Sequence, residues 1–291
     1  MQRRKFRAMG TTVELFLARE PEGGSKEVFD GAEREFERLE ALLSRFRPES
    51  ELSRLNAAGR LAAGEDLLAV VELAVEARER TSGRFDPTVH DALVQAGYDR
   101  TFEEVAPNGR TAATLPARCG GGVTVDRARG RIELEPGVRL DLGGIGKGYA
   151  ADRAAAILSE AGPALVDAGG DIAAVGRPDS LGWRIGVETP AVTMTLALGD
   201  GAVATSGRDR RRWRRNGVEQ HHLIDPATGR PAVGDLLRAT VVARTAVEAE
   251  TLAKALFLAG EHDAVVEAEA AGVPCVLVTE DERTVVAGGL S

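Results

Sequence analysis

The stretch from Arg139 to Asp171, RLDLGGIGKGYAADRAAAILSEAGPALVDAGGD, constrains this chain more than any other. Leu140 and Leu142 read as the end of a strand, after which Gly143, Gly144, Gly146 and Gly148 surround Ile145 and Lys147. Lacking Cβ atoms, this backbone can turn sharply and approach a ligand. Ala150, Ala151, Ala154, Ile157 and Leu158 then recur at helical spacing, which places the glycine turn at a helix N-terminus. Free N–H groups and the positive end of the dipole make such a terminus a seat for phosphate or carboxylate, and a lysine there suits phosphate. A second strand follows and ends in Gly169-Gly170-Asp171. Two familiar phosphate motifs are excluded. Walker A needs Ser or Thr after Gly-Lys, whereas Gly148 follows Gly146-Lys147, and Gly144-Ile145-Gly146-Lys147-Gly148 has the wrong spacing for the dinucleotide fingerprint. A glycine-rich turn of neither kind is also the ordinary form of a tight strand-to-helix connection, so other motifs must decide.

At 291 residues the chain can bury a large core and fits one large domain or two moderate ones, and of these we expect a single domain over residues 1–291. A net charge of −8 argues against a general nucleic-acid binder. Cys119 and Cys275 are the only cysteines, which leaves no disulfide framework or cysteine-based zinc site. No run of about 18 apolar residues is present, so no transmembrane segment is expected. The basic start MQRRKFRAMGTTVELFLARE alternates like a strand and has no signal-peptide core. The default location is cytoplasmic, unless an export or lipoprotein signal has been removed.

Alternation from Phe6 to Ala18 predicts an opening strand, and Ser25 caps a helix whose apolar stripe runs from Val28 to Leu43. A second amphipathic helix is expected over 66–81, and an Asp86-Pro87 turn lies in GRFDPTV. Residues 98–121 are polar and irregular. Short strands follow at Val123, Arg131 and Arg139, with a Pro136-Gly137 turn before the last. After the central helix, strands are expected at 164–166, 172–175, 183–187, 193–198, 202–205 and 239–243. Helices over 247–259 and 263–271 and strands at 276–278 and 284–287 close the chain. Strands joined by short turns outnumber βαβ units, so the expected class is α/β in the α+β sense: mostly antiparallel sheets with packed helices, not a Rossmann fold.

A second informative stretch is ATSGRDRRRWRRNGVEQHHLIDPATGRP. His221 and His222 precede Asp225-Pro226-Ala227-Thr228-Gly229, a turn that would hold an imidazole and a carboxylate at one loop mouth. An imidazole titrating near neutrality can take the proton of an attacking hydroxyl. The run from Arg208 to Arg215 contains six arginines; it reads as a solvated basic loop, as a steering surface for an anionic substrate or, as a weaker third choice, as a nucleic-acid contact.

MGTTVEL, SELSRLN, GRFDPTV, DLGGIGKGYAAD, LVDAGGDI, ATSG, HHLIDPATGRP and AEAETLAKALFLAG occur in this order between Met9 and about Gly260. This series resembles the ApbE-like FAD:protein FMN transferases. The resemblance implies an ApbE, T-fold-like architecture and a transferase that cleaves the FAD pyrophosphate. FMN would pass to a threonine hydroxyl of a target flavoprotein, with release of AMP. Implied alternatives are an FAD-binding carrier without transfer, or an FAD pyrophosphatase giving FMN and AMP. Carried over motif by motif, Met9, Ser50 and Asn56 would lie along the flavin, with Asp86 and Thr88 in the same pocket. Lys147 would hold the diphosphate, with Ser206 beside it, and Asp167, Gly169, Gly170 and Asp171 would pack near the adenosine. His222 would be the base, with Asp225 and Thr228 shaping its loop.

The same resemblance implies Mg²⁺ held by an aspartate, a threonine four residues later and a carbonyl of the glycine turn. Here Glu250 stands for the aspartate, Lys254 for the threonine, and Gly146 offers the carbonyl. Residues i and i+4 face the same way on a helix, and an ammonium among oxygen ligands repels a hard cation. Metal dependence is therefore left open: Lys254 replaces the ion, or a shifted site uses Glu250.

Overall fold

The N-terminal alternation builds a hairpin where one strand was expected. Gln2–Ala8 pairs antiparallel with Thr11–Leu17, and Met9 and Gly10 form the turn with φ of +51° and +65°. Two consecutive positive φ values are the mark of the tight hairpin turn that matches strand twist. The computed structural model describes residues 1–109 and 117–290; the rest of the irregular stretch expected over 98–121 lies outside them.

The described chain divides into two compact units, one of residues 1–40, 145–206 and 235–291, the other of 41–144 and 207–234. The first is organised by an eight-stranded sheet. Its order is Gln2–Ala8, Thr11–Leu17, Ala164–Ala168, Ile172–Val175, Gly201–Gly207, Leu236–Ala243, Cys275–Thr279 and Thr284–Ala287. The hairpin pairings are antiparallel, as expected from the short turns. Val13, Leu15 and Leu17 are fully buried on one face, while the residues between them are not. The helix Lys26–Leu43 follows its Ser25 start and lays Phe36 edge-on to Phe6, with ring centroids 5.6 Å apart.

Two further helices, Gly146–Ser159 and Ala246–Ala259, pack on the sheet and on each other. Their approach is set by residues four apart on the first helix. Gly148 lies so close to the start of the second that a Cβ there would stand 2.6 Å from the Ala246 carbonyl oxygen. Asp152 reaches across and accepts hydrogen bonds from the N–H groups of Ala246 (2.8 Å) and Val247 (3.1 Å). Thr245 Oγ1 accepts from Glu248 N at 3.2 Å. Three of the orphan donors of that helix start are thereby satisfied.

The second unit contains the helices Glu51–Ala58, Glu65–Arg80 and His90–Ala96 and three small sheets. The strand expected at Arg139 does not form. Leu140 instead pairs with the Asn56 side chain, which donates to its carbonyl at 2.8 Å and accepts from its N–H at 2.7 Å, while Asp141 N bonds Pro87 O. With its backbone groups satisfied this way, Leu140 needs no ladder. The arginine run is not simply a solvated loop either. Arg212–Arg215 is a strand paired with Val218–His221, and Trp213 is buried with its Nε1 donating to Ala96 O at 2.7 Å.

Gly148→Ala is expected to lower stability by about 1–3 kcal/mol, because backbone atoms must move to admit the methyl group. Urea unfolding followed by circular dichroism measures this, and a midpoint unchanged from wild type would contradict the close approach.

Candidate active site

Four charged side chains meet in the first unit at the end of the Gly146–Ser159 helix where its dipole is positive. Lys147 Nζ lies 2.5 Å from Glu250 Oε1 and 2.7 Å from Asp171 Oδ2. Lys254 Nζ lies 3.2 Å from the same Glu250 oxygen, one helical turn along. Glu250 Oε2 accepts from Gly148 N at 2.9 Å. Side-chain exposure is 1% for Glu250 and 6% for Asp171, against 15% for Lys147 and 17% for Lys254. Burial by itself raises the Glu250 carboxyl, but the ammonium groups of Lys147 and Lys254 and the Gly148 N–H overcome it and hold it at about 2. Burial pushes Asp171 up to about 6, with Lys147 opposing and Glu250 adding to the rise. Burial also lowers Lys254 against the pull of Glu250.

Asp171 arrives there by a tight turn between the strands Ala164–Ala168 and Ile172–Val175. Asp167 Oδ1 accepts from Gly170 N at 2.7 Å, and Gly169 and Gly170 have φ of +71° and +99°. A Cβ on Gly169 would stand 2.1 Å from Thr11 Oγ1. Gly146 opens the helix and is buried, and Ser206 is buried in the strand Gly201–Gly207. Met9 sits in the first hairpin turn, its N–H donating to Glu40 Oε2 at 3.0 Å.

The second unit separates the two neighbouring histidines. His221 is 5% exposed, its Nε2 lies 2.9 Å from Ala232 O, and its Nδ1 accepts from Leu223 N at 3.3 Å. That pattern requires a neutral ring with the proton on Nε2. Burial lowers its pKa below the ordinary 6.5. His222 is only partly buried between buried neighbours, although its Nδ1 is shielded from solvent. The segment carrying it is fixed on both sides, since Ala232 N also bonds Leu223 O.

Asp225 shapes the turn that follows: Oδ1 accepts from Ala227 N at 2.9 Å, and its carbonyl accepts from Thr228 N and Gly229 N. Thr228 is exposed at the tip. Gly229 passes within van der Waals reach of Ala117, where a Cβ would stand 2.1 Å from the carbonyl oxygen. Cys119, two residues on, feels the carboxylates of Asp86, Asp225 and Asp91, and burial first of all pushes its thiol up to about 11. The GRFDPTV loop and the His-Asp-Pro turn are thus brought together through residues 117–120. Asp86 Oδ1 accepts from Thr88 N (2.8 Å) and Thr88 Oγ1 (2.7 Å), and Thr88 Oγ1 accepts from Gly120 N at 2.7 Å. Ser50 caps the helix Glu51–Ala58 by accepting from Ser53 N at 2.9 Å. Ser50 and Asn56 therefore have structural employment, each holding backbone in place.

A sequence model described as the ApbE family matches residues 9–277. The chain belongs to the ApbE family. Curated relatives in the family include FAD:protein FMN transferases from Treponema pallidum and Vibrio cholerae. The first is 30% identical over 86% of this chain and 76% of its own length. The second is 30% identical over 94% of this chain and 86% of its own length. Among solved structures, the ApbE protein of Thermotoga maritima superposes with a TM-score of 0.84 at 28% identity, covering 98% of this chain and 96% of its own. A histidine-to-glycine variant of the Vibrio cholerae flavin transferase ApbE gives 0.82 at 27% identity, covering 99% and 98%. The α/β architecture expected from the strand pattern is that of these ApbE structures.

The family resemblance implied Mg²⁺ on Gly146 and Glu250, and the donor set does not suit it. A hard cation requires oxygen ligands, yet the Glu250 oxygen facing the cluster already receives two ammonium groups, and its other oxygen receives the Gly148 N–H. Among the described residues no group of three or more His, Cys, Asp and Glu could hold a metal ion. Asp152 is the residue that sequence reasoning passed over: it closes the GKGYAAD motif and seats the helix that carries Glu250.

Lys147→Met is expected to cost about 3–5 kcal/mol in urea unfolding, because it leaves two carboxylates buried without their shared cation. A loss below 1 kcal/mol, on the order of an exposed pair, would show that the cluster is solvated. His221 generates a pH effect. Below its ordinary pKa of 6.5 the unfolded chain takes up a proton that the buried ring refuses, so stability is full above that pH and falls as pH drops. Melting temperatures at about pH 7.5 and 5.5 should differ less in His221→Gln than in wild type, and equal differences would remove His221 as the source.

Proposed function

We propose that this chain is an FAD:protein FMN transferase, taking FMN from FAD and attaching it to a target flavoprotein with release of AMP. The observation that carries the reading is the family match over residues 9–277, which runs through segments of both units. The acceptor we propose is a threonine hydroxyl. Its oxygen bonds to the phosphorus of the FMN half, the phosphorus–oxygen bond to AMP breaks, and AMP leaves as a phosphate monoester. His222 takes the hydroxyl proton, and Asp225 fixes the loop that presents it. Support for this choice is the contrast between the two histidines: His221 is neutral and sealed by Ala232 and Leu223, while His222 is partly open.

The glycine turn serves the diphosphate. Charge that grows on the leaving oxygen is offset by preorganised donors and cations, which supply most of the catalysis in phosphoryl transfer. In this reading the Asp167–Asp171 turn and Ser206 serve the nucleotide, and Asp86 and Thr88 serve the flavin.

Incubation with FAD and a purified acceptor flavoprotein domain tests the reading. Flavin fluorescence fixed to the acceptor in a denaturing gel, with one AMP per flavin, is the expected result. AMP without bound flavin would replace transfer by hydrolysis, and neither product would leave a carrier. In His222→Ala the rate should fall by about 10²–10⁴ with FAD binding retained, and a wild-type rate would remove His222 from the chemistry.

A further inference from the structure

The cluster around Glu250 contains two ammonium groups and two carboxylates, so it is balanced with no added ion. Its two lysines are not equivalent. Lys147 is clamped by two carboxylates, Glu250 at 2.5 Å and Asp171 at 2.7 Å. Lys254 shares only the first of these, at the longer distance of 3.2 Å. Lys147 therefore holds Asp171 and Glu250 in place, and Lys254, bonded to one carboxylate at the longer distance, is the less tightly held cation. A divalent ion entering beside Glu250 would meet two ammonium groups already within hydrogen-bond distance of that carboxylate, one of them also bonded to Asp171, at a site almost closed to water. Repulsion at such separations is strong, because buried charges are screened far less than exposed ones.

We propose that Lys254 occupies the place of a divalent cation in this chain, so that it transfers FMN without metal, with the Lys254 ammonium facing the FAD diphosphate. The proposal rests on the transferase reading given above. The Lys254 side chain reaches the diphosphate as a point charge with three rotatable donors, the manner in which lysine ordinarily binds phosphate. Lys147 keeps a positioning role, holding Glu250, the carboxylate that orients Lys254.

The test is a Mn²⁺ titration of the full chain followed by electron paramagnetic resonance, with and without FAD, alongside transfer assays in EDTA. Wild type should leave the free-ion signal unchanged at one equivalent of Mn²⁺ and should transfer at the same rate in EDTA. Glu250→Asp with Lys254→Thr should bind one Mn²⁺ per chain. Lys254→Met should lose about 10²-fold in transfer rate, while Lys254→Arg, which keeps the charge, should retain most of it. One Mn²⁺ bound per wild-type chain and released by Glu250→Gln would overturn the proposal, as would a wild-type rate in Lys254→Met. Should the wild type transfer no flavin under any condition, the transferase reading fails, and the Mn²⁺ titration still decides the question of the ion.

Discussion

A carboxylate with 1% of its side chain exposed needs positive partners, and the first unit is built to supply them to Glu250. Removed from water, an ionised carboxyl group costs several kcal/mol, of the order that decides whether a domain folds. Two lysines and one backbone N–H offset that cost, and Asp171 shares one of the lysines. Lys147 and Gly148 follow from the start of one helix, Lys254 from the next turn of the other, and Asp171 from a glycine turn between two strands.

The arrangement depends on how closely two helices approach. Gly148 leaves room for the Ala246 carbonyl, and Asp152, one turn later, ties down the two N–H groups that open the second helix. Helix starts attract anions, and here one start is occupied by Asp152 and the other by Glu250. The glycine-rich motif thus does two jobs. It permits a close helix contact, and it brings a buried carboxylate to the end of the helix where N–H groups are free to receive it.

Most of the fold was legible because it rests on local signals. The strands at Ile172–Val175, Thr193–Leu198 and Thr284–Ala287 fall where alternation placed them, and the helices at Glu65–Arg80 and Ala246–Ala259 differ by a residue from expectation. The misreadings share a cause: a distant partner decided the conformation. Leu140 lost its strand to the Asn56 side chain, and the Arg212–Arg215 run became a strand because Trp213 found a buried place against Ala96. Met9 was missed as a turn residue since a non-glycine residue at positive φ has no strong sequence signature. At the site, the residue types were readable but their employment was not. Lys147 is bonded to two carboxylates, a pairing of residues 147, 171 and 250 that no local pattern announces. The sealing of His221 likewise rests on Ala232, eleven residues away from it.

The account is tested most directly by a crystal structure grown with FAD and Mn²⁺, using anomalous scattering at the manganese edge. It predicts no manganese peak at Glu250 and Lys254 Nζ within hydrogen-bond distance of a diphosphate oxygen. A manganese peak coordinated by Glu250, with Lys254 turned away, would contradict it.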